Sequence, residues 1–155
     1  MMMGLLLSGL LPARVHPDYT AIIQKAESQA RPAAHKVLSV ARRMVESKRI
    51  VRGSCWDWLN TAFVQAGYPA SRRDVILNHS KRGPYASPRQ IQPGDWLYYI
   101  NHSYGNIEHS GLFVGWVDRR KRRGLILSYG GQRRNQPGRY RVYDLSSVYH
   151  ISRAR

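Results

Sequence analysis

Gly53-Ser54-Cys55-Trp56-Asp57-Trp58-Leu59-Asn60-Thr61-Ala62-Phe63-Val64-Gln65-Ala66-Gly67 contains the only cysteine of the chain. Counted from Cys55, the apolar residues Trp58, Leu59, Ala62, Phe63 and Ala66 fall at +3, +4, +7, +8 and +11, the period of one buried helix face. Ser54 suits the N-cap, Asp57 follows at capping-box spacing, and Gly67 is a natural stop. Cys55 is therefore expected in the first turn, on the inward face. There the helix dipole and the free N–H groups favour a thiolate, and the same N–H groups can hold an oxyanion. The competing reading is a small buried hydrophobe, the commoner role of a lone cysteine.

A histidine in a matching context weighs against that plainer role. Ile107-Glu108-His109-Ser110-Gly111-Leu112-Phe113-Val114-Gly115-Trp116-Val117 reads as a strand. Alternation places Ile107, His109, Gly111, Phe113 and Gly115 on one face, where the two glycines leave room for a helix to approach. A thiol at a helix start laid on a strand that carries an imidazole is the arrangement a Cys–His nucleophile needs. Taken alone, His109 reads more readily as a satisfied structural histidine, and it is the pairing with Cys55 that shifts the balance. His102 competes for the role but sits in a loop, without the strand and glycine context.

Three segments in order carry a family resemblance. They are the Cys55-led helix, Gln92-Pro93-Gly94-Asp95-Trp96-Leu97-Tyr98-Tyr99, and His109-Ser-Gly-Leu-Phe-Val-Gly115. Together they resemble the NlpC-type papain-like cysteine peptidases, which act as peptidoglycan endopeptidases or amidases. Gly53-Ser54-Cys55-Trp56 also matches the local cysteine signature of papain. The resemblance spans roughly residues 50 to 131. The chain departs from the family in having Ser54-Cys55-Trp56 where Asp-Cys-Ser is usual, and Arg49 where papain carries its oxyanion glutamine.

The resemblance implies a papain-like core and a cysteine hydrolase that cleaves an amide bond in peptidoglycan stem peptides. Cys55 would be the nucleophile, and its backbone N–H would hold the oxyanion. His109 would be the base or ion-pair partner. A third polar group on the following strand would orient the imidazole. The longer hairpin here shifts that group to about 128–132. Ser128 is the first choice, with Tyr129 and Gln132 as alternatives. The same core is also compatible with an acyltransferase or deamidase.

Composition bounds these readings. A length of 155 residues suits one domain with a modest core. One cysteine excludes an intrachain disulfide framework and any multi-cysteine metal site. No zinc motif, phosphate-binding loop or dinucleotide fingerprint is present, and no cofactor is expected. Lys+Arg 25 against Asp+Glu 9 gives a net charge of +16, with arginine supplying 20 of the 25. Such a surface attracts polyanions, so a non-catalytic basic module for nucleic acid or an anionic cell-wall polymer is the rival class. The Arg119–Arg123 tip also reads simply as a solvated hairpin end.

Along the chain, residues 1–16 read as a signal-like or disordered N-terminus. The apolar run Met1–Leu11 is too short to span a bilayer, and Leu11-Pro12-Ala13 would serve as a processing site. This gives an expectation of export to the periplasm or cell surface, with a cytoplasmic location as the alternative. Residues 17–155 read as a single α+β domain, with N-terminal helices packed on an antiparallel sheet of about five strands. Helices are expected over 17–30 and from Pro32 to Ser47, before the one at Cys55. The connection 68–92 is expected to be a loop with one helical turn at Asp74–Leu77; a papain-like fold would have it line the substrate cleft. Strands follow at 95–100, 107–117, 125–129, 139–145 and 148–151.

Overall fold

The computed structural model describes residues 18–155, so the signal-like segment read at 1–16 lies outside the described residues. Three helices form where the apolar periods place them: α1 Thr20–Gln29, α2 Pro32–Glu46 and α3 Cys55–Gln65. Pro32 opens α2, where its fixed φ costs nothing, and Val37, Leu38, Ala41 and Met44 form the buried stripe. Gly67 ends α3 at φ 97°; its N–H donates to Val64 O at 3.0 Å, and Tyr68 N–H donates to Phe63 O at 2.8 Å. That pair of bonds is a Schellman close, and the positive φ is why glycine stands there.

The strands are β1 Arg73–Asn78, β2 Trp96–Asn101, β3 Ile107–Asp118, β4 Arg123–Ser128, β5 Arg139–Asp144 and β6 Val148–Ala154. They form one antiparallel sheet in the order β1-β6-β2-β3-β4-β5. The fold is α+β, helices before sheet, but with six strands rather than five. The additional strand is β1, in the stretch read as a helical turn. Val75-Ile76-Leu77 has the β-branched and apolar character of a strand, and β1 pairs with β6 at the sheet edge. Val75 at 60% exposure shows why no alternating burial pattern marks this edge strand.

Both faces of the sheet are covered. The helices bury Trp96, Leu112, Val114, Leu125 and Leu127 against Val37, Trp58 and Phe63. The opposite face buries Leu97, Tyr99, Phe113, Ile126, Val148 and Ile151 under Ala86 and Ile91. The connection after β1 thus covers the helix-free face. Ala86 N–H holds it there by donating to Val148 O at 2.8 Å.

Pro93-Gly94-Asp95 anchors the start of β2 to the helices and to the last strand. Gly94 has φ 90°, and a Cβ there would stand 2.7 Å from the Ala34 Cβ of α2. Asp95, 1% exposed, receives Arg153 Nε at 2.7 Å, Arg153 Nη2 at 2.8 Å and Gln92 N–H at 2.8 Å. Burial is the largest influence on this carboxyl and raises its pKa, while the Arg153 fork and the Gln92 N–H oppose it. Removing one partner of such a pair strands a buried charge. Arg153→Ala is expected to cost about 3–5 kcal/mol, roughly 6–20 °C in Tm, measured by thermal unfolding. Arg153→Met combined with Asp95→Leu should recover much of that loss; a double variant no better than the single one would show the pair is not the cause.

Candidate active site

Cys55 is the first residue of α3 and is half-buried. The capping box forms as its spacing predicts. Ser54 N–H and Ser54 Oγ donate to Asp57 Oδ2 at 2.7 and 3.0 Å, and Trp56 N–H donates to Ser54 Oγ at 3.2 Å. Gly53, at φ 105°, lets the chain turn into the cap; a Cβ there would collide with the Asp57 carboxylate.

The loop carrying Cys55 is clamped to the segment after β4. Gly53 N–H donates to Gln132 Oε1 at 3.2 Å, and Gln132 N–H donates to Gly53 O at 2.8 Å. Tyr129 Oη donates to Val51 O at 2.7 Å and accepts from Val51 N–H at 3.1 Å, while its ring stacks on Trp58. Tyr129 and Gln132, both weighed as partners of His109, thus bond instead to the approach to Cys55.

His109 lies on β3 opposite Tyr99 of β2. Its Nε2 is 2.8 Å from Ser128 Oγ, and Ser128 Oγ in turn accepts from Tyr143 Oη at 3.1 Å. Of the three residues weighed between 128 and 132, Ser128 is the one that meets the imidazole. The Tyr99 and Tyr143 rings flank it, with centroids 5.7 and 5.9 Å away. Burial lowers the His109 pKa below the ordinary histidine value, and the guanidinium groups of Arg141 and Arg134 lower it further. His102 is occupied elsewhere, its Nε2 2.8 Å from Ser147 Oγ and its Nδ1 2.9 Å from Asn106 Oδ1.

The strand faces differ from the sequence reading in one respect that matters. His109 and Gly111 do share a face, but it is the one away from the helices. A Cβ at Gly111 would press on Ile126 and lie 3.5 Å from Tyr99 Oη. An irregularity in pairing between Phe113 and Gly115 turns Gly115 toward α1, where a Cβ would stand 2.9 Å from Ile22. The residue of β3 that meets Cys55 is Ser110, which points toward the helices. Its Oγ, 3% exposed as a residue, donates to Cys55 Sγ at 3.6 Å.

Cys55 and His109 share no hydrogen bond among the described residues. They border one cleft of about 410 Å³ together with Gly53, Ser54 and the Tyr129–Arg133 turn. Gly130 and Gly131 bring no side chain into it. The connection 68–92 contributes none of its lining, and Arg49 lines a separate depression with Val40 and Met44. Ser110 and Tyr143 were missed at the sequence level. The first was legible as the alternation partner of His109, whereas the second depended on which strand pairs with β4.

No helix among the described residues is long and apolar enough to cross a membrane, and no group of three or more His, Cys, Asp or Glu among them could hold a metal ion. Comparisons with protein-family models, curated proteins and solved structures found no match.

The lowered pKa of His109 gives a stability prediction with a definite sign. Between the folded value and the ordinary one near 6.5, the unfolded chain binds more protons than the folded one. Stability therefore falls as pH drops from the ordinary value through the folded one. Thermal unfolding from about pH 7 to about pH 5 should show His109→Gln losing less stability than the parent chain. His150, also lowered by burial, titrates in both proteins and cancels in the comparison. Identical slopes would show that His109 is not buried as described.

Proposed function

We propose that the protein is a cysteine hydrolase of amide bonds, with peptidoglycan stem peptides as its substrate. The observation that carries this reading is the shared cleft. A cysteine at a helix start, accepting from Ser110, borders the same opening as a histidine backed by Ser128 and Tyr143. A buried structural cysteine needs none of these partners.

In the proposed reaction, Cys55 gives its proton to a water in the shared cleft, which passes one to His109, and the sulfur attacks the amide carbonyl carbon. The Cys55 backbone N–H, at the open end of α3, donates to the developing oxyanion. The C–N bond breaks as His109 returns the proton to the leaving amine, which leaves a thioester on Cys55. His109 then takes a proton from water as hydroxide adds to the thioester carbon, and the C–S bond breaks as that proton returns to the sulfur, which releases the carboxylic acid and restores the thiol and the neutral imidazole. The low pKa of His109 suits a neutral base better than a standing imidazolium. Nε2–H donating to Ser128 would leave the Nδ1 lone pair for the thiol proton, with Ser128 as the positioning residue.

The substrate is what the NlpC-type resemblance implies, an exported location is what the apolar run Met1–Leu11 implies, and the net charge of +16 is compatible with an anionic wall. The test is release of new amino groups from purified peptidoglycan, with inactivation by iodoacetamide. Activity on protein or lipid amides but never on wall fragments would keep the Cys–His site and overturn the substrate.

A further inference from the structure

A second pocket, of about 230 Å³, is lined by His109 and Ser128. Its walls are Tyr104, Arg134, Arg139, Arg141 and Tyr143. We propose that it binds a compact oxyanion, a carboxylate or phosphate carried by the ligand, through the three arginines. The proposal deepens the hydrolase reading and rests on it only for calling that ligand the substrate.

The placement of the arginines follows from register. Arg139 pairs across from Ser128 and Arg141 from Ile126, so the two lie on the His109 face of the sheet, two residues apart on β5. Arg134 reaches the pocket from the short 3-10 turn Gln132–Arg134. Its side chain runs against Gly130, where a Cβ would stand 2.8 Å from Arg134 Cδ, and its guanidinium lies 5.9 Å from the Tyr104 ring centroid.

Among the described residues, no carboxylate pairs with Arg134, Arg139 or Arg141, whereas Arg42, Arg153 and Arg155 each have an acidic partner. Three guanidinium groups around one pocket repel one another, and a bound oxyanion relieves that repulsion while accepting forked hydrogen bonds. The Arg119–Arg123 tip is also basic but borders no described pocket. The volume suits a compact group, and the arginines come from two defined places, β5 and the Gln132–Arg134 turn, rather than from charge spread over the surface.

Occupancy should be readable at His109. The groups facing its ring are Tyr99 from β2, Ser128 from β4, and Arg141 and Tyr143 from β5, with Arg134 on the adjoining turn and Cys55 across the cleft. An oxyanion held by Arg134 and Arg141 would offset their effect and raise the His109 pKa toward its ordinary value.

The experiment titrates the full chain with sodium glutarate and, separately, inorganic phosphate at constant ionic strength. The ring resonances of His109 are followed by NMR across pH. The expected result is a saturable shift at His109 and Tyr143 with an upward move of the His109 pKa. Arg141→Gln and Arg134→Gln should each weaken binding about tenfold, and Arg141→Lys should restore it only in part. Arg120→Gln, on the hairpin tip, should leave it unchanged. These arginines are exposed, so the variants should keep the parent Tm. Saturation by glutarate alone identifies a carboxylate, and by phosphate alone a phosphate group. Absence of saturation with both, or equal weakening by Arg120→Gln, overturns the pocket in favour of diffuse charge. Cys55→Ala should bind the anion as the parent does. Failed binding with wall cleavage intact therefore sinks the pocket alone, and intact binding without cleavage sinks the hydrolase alone.

Discussion

Cys55→Ala should abolish release of amino groups from peptidoglycan, a loss of at least about 10³-fold, while the protein stays folded and still adsorbs to the wall. The chemistry depends on one sulfur, and no other cysteine in the chain can replace it. Folding depends on it little. Cys55 is half-buried, its Sγ accepts a single 3.6 Å hydrogen bond, and the capping box is made by Ser54 and Asp57. The expected stability change is about 1 kcal/mol or less. Wall adsorption draws on a net charge of +16 and should weaken steeply with salt, whereas turnover per bound molecule should depend on salt far less. A Cys55→Ala protein with full activity, lost only when salt is raised, would make the protein a polyanion binder.

His109→Ala should lower kcat/KM by about 10²- to 10⁴-fold, the span of a general base. It should also slow alkylation of Cys55 by iodoacetamide near neutral pH. The pH profile distinguishes a base from a merely structural imidazole. Turnover by a neutral base rises with pH through the pKa of that base, and burial together with Arg141 and Arg134 places this rise below the ordinary histidine range. That limb should vanish in His109→Gln, which can still hydrogen-bond to Ser128 but cannot take a proton. Ser128→Ala should have a smaller effect and shift the same limb, as expected of a positioning residue whose Oγ meets Nε2 at 2.8 Å. Alkylation rates equal to those of a free thiol, and indifferent to His109, would return Cys55 to the role of a small core residue.

What was legible in the sequence was local. The three helices, the Ser54–Asp57 box, the Gly67 close and five of the six strands are properties of short windows, because helix period, capping chemistry and strand alternation act within a few residues. Cys55 and His109 were legible as candidates for the same reason, and Ser128 through the spacing of a family pattern. Tertiary structure decided what depends on pairing between distant segments. Burial patterning could not reveal β1, because an edge strand exposes much of itself and is defined by its partner β6. Alternation put His109 and Gly111 on one face, and the glycines pointed to a helix against it, but the helices cover the other face, because a period of two is symmetric about the sheet. Only the tertiary arrangement gave Ser110 to the thiol, seated Ser128 and Tyr143 behind His109, and drew three arginines from a turn and the far edge strand to one pocket. Each of these contacts joins segments that local periodicity treats as independent.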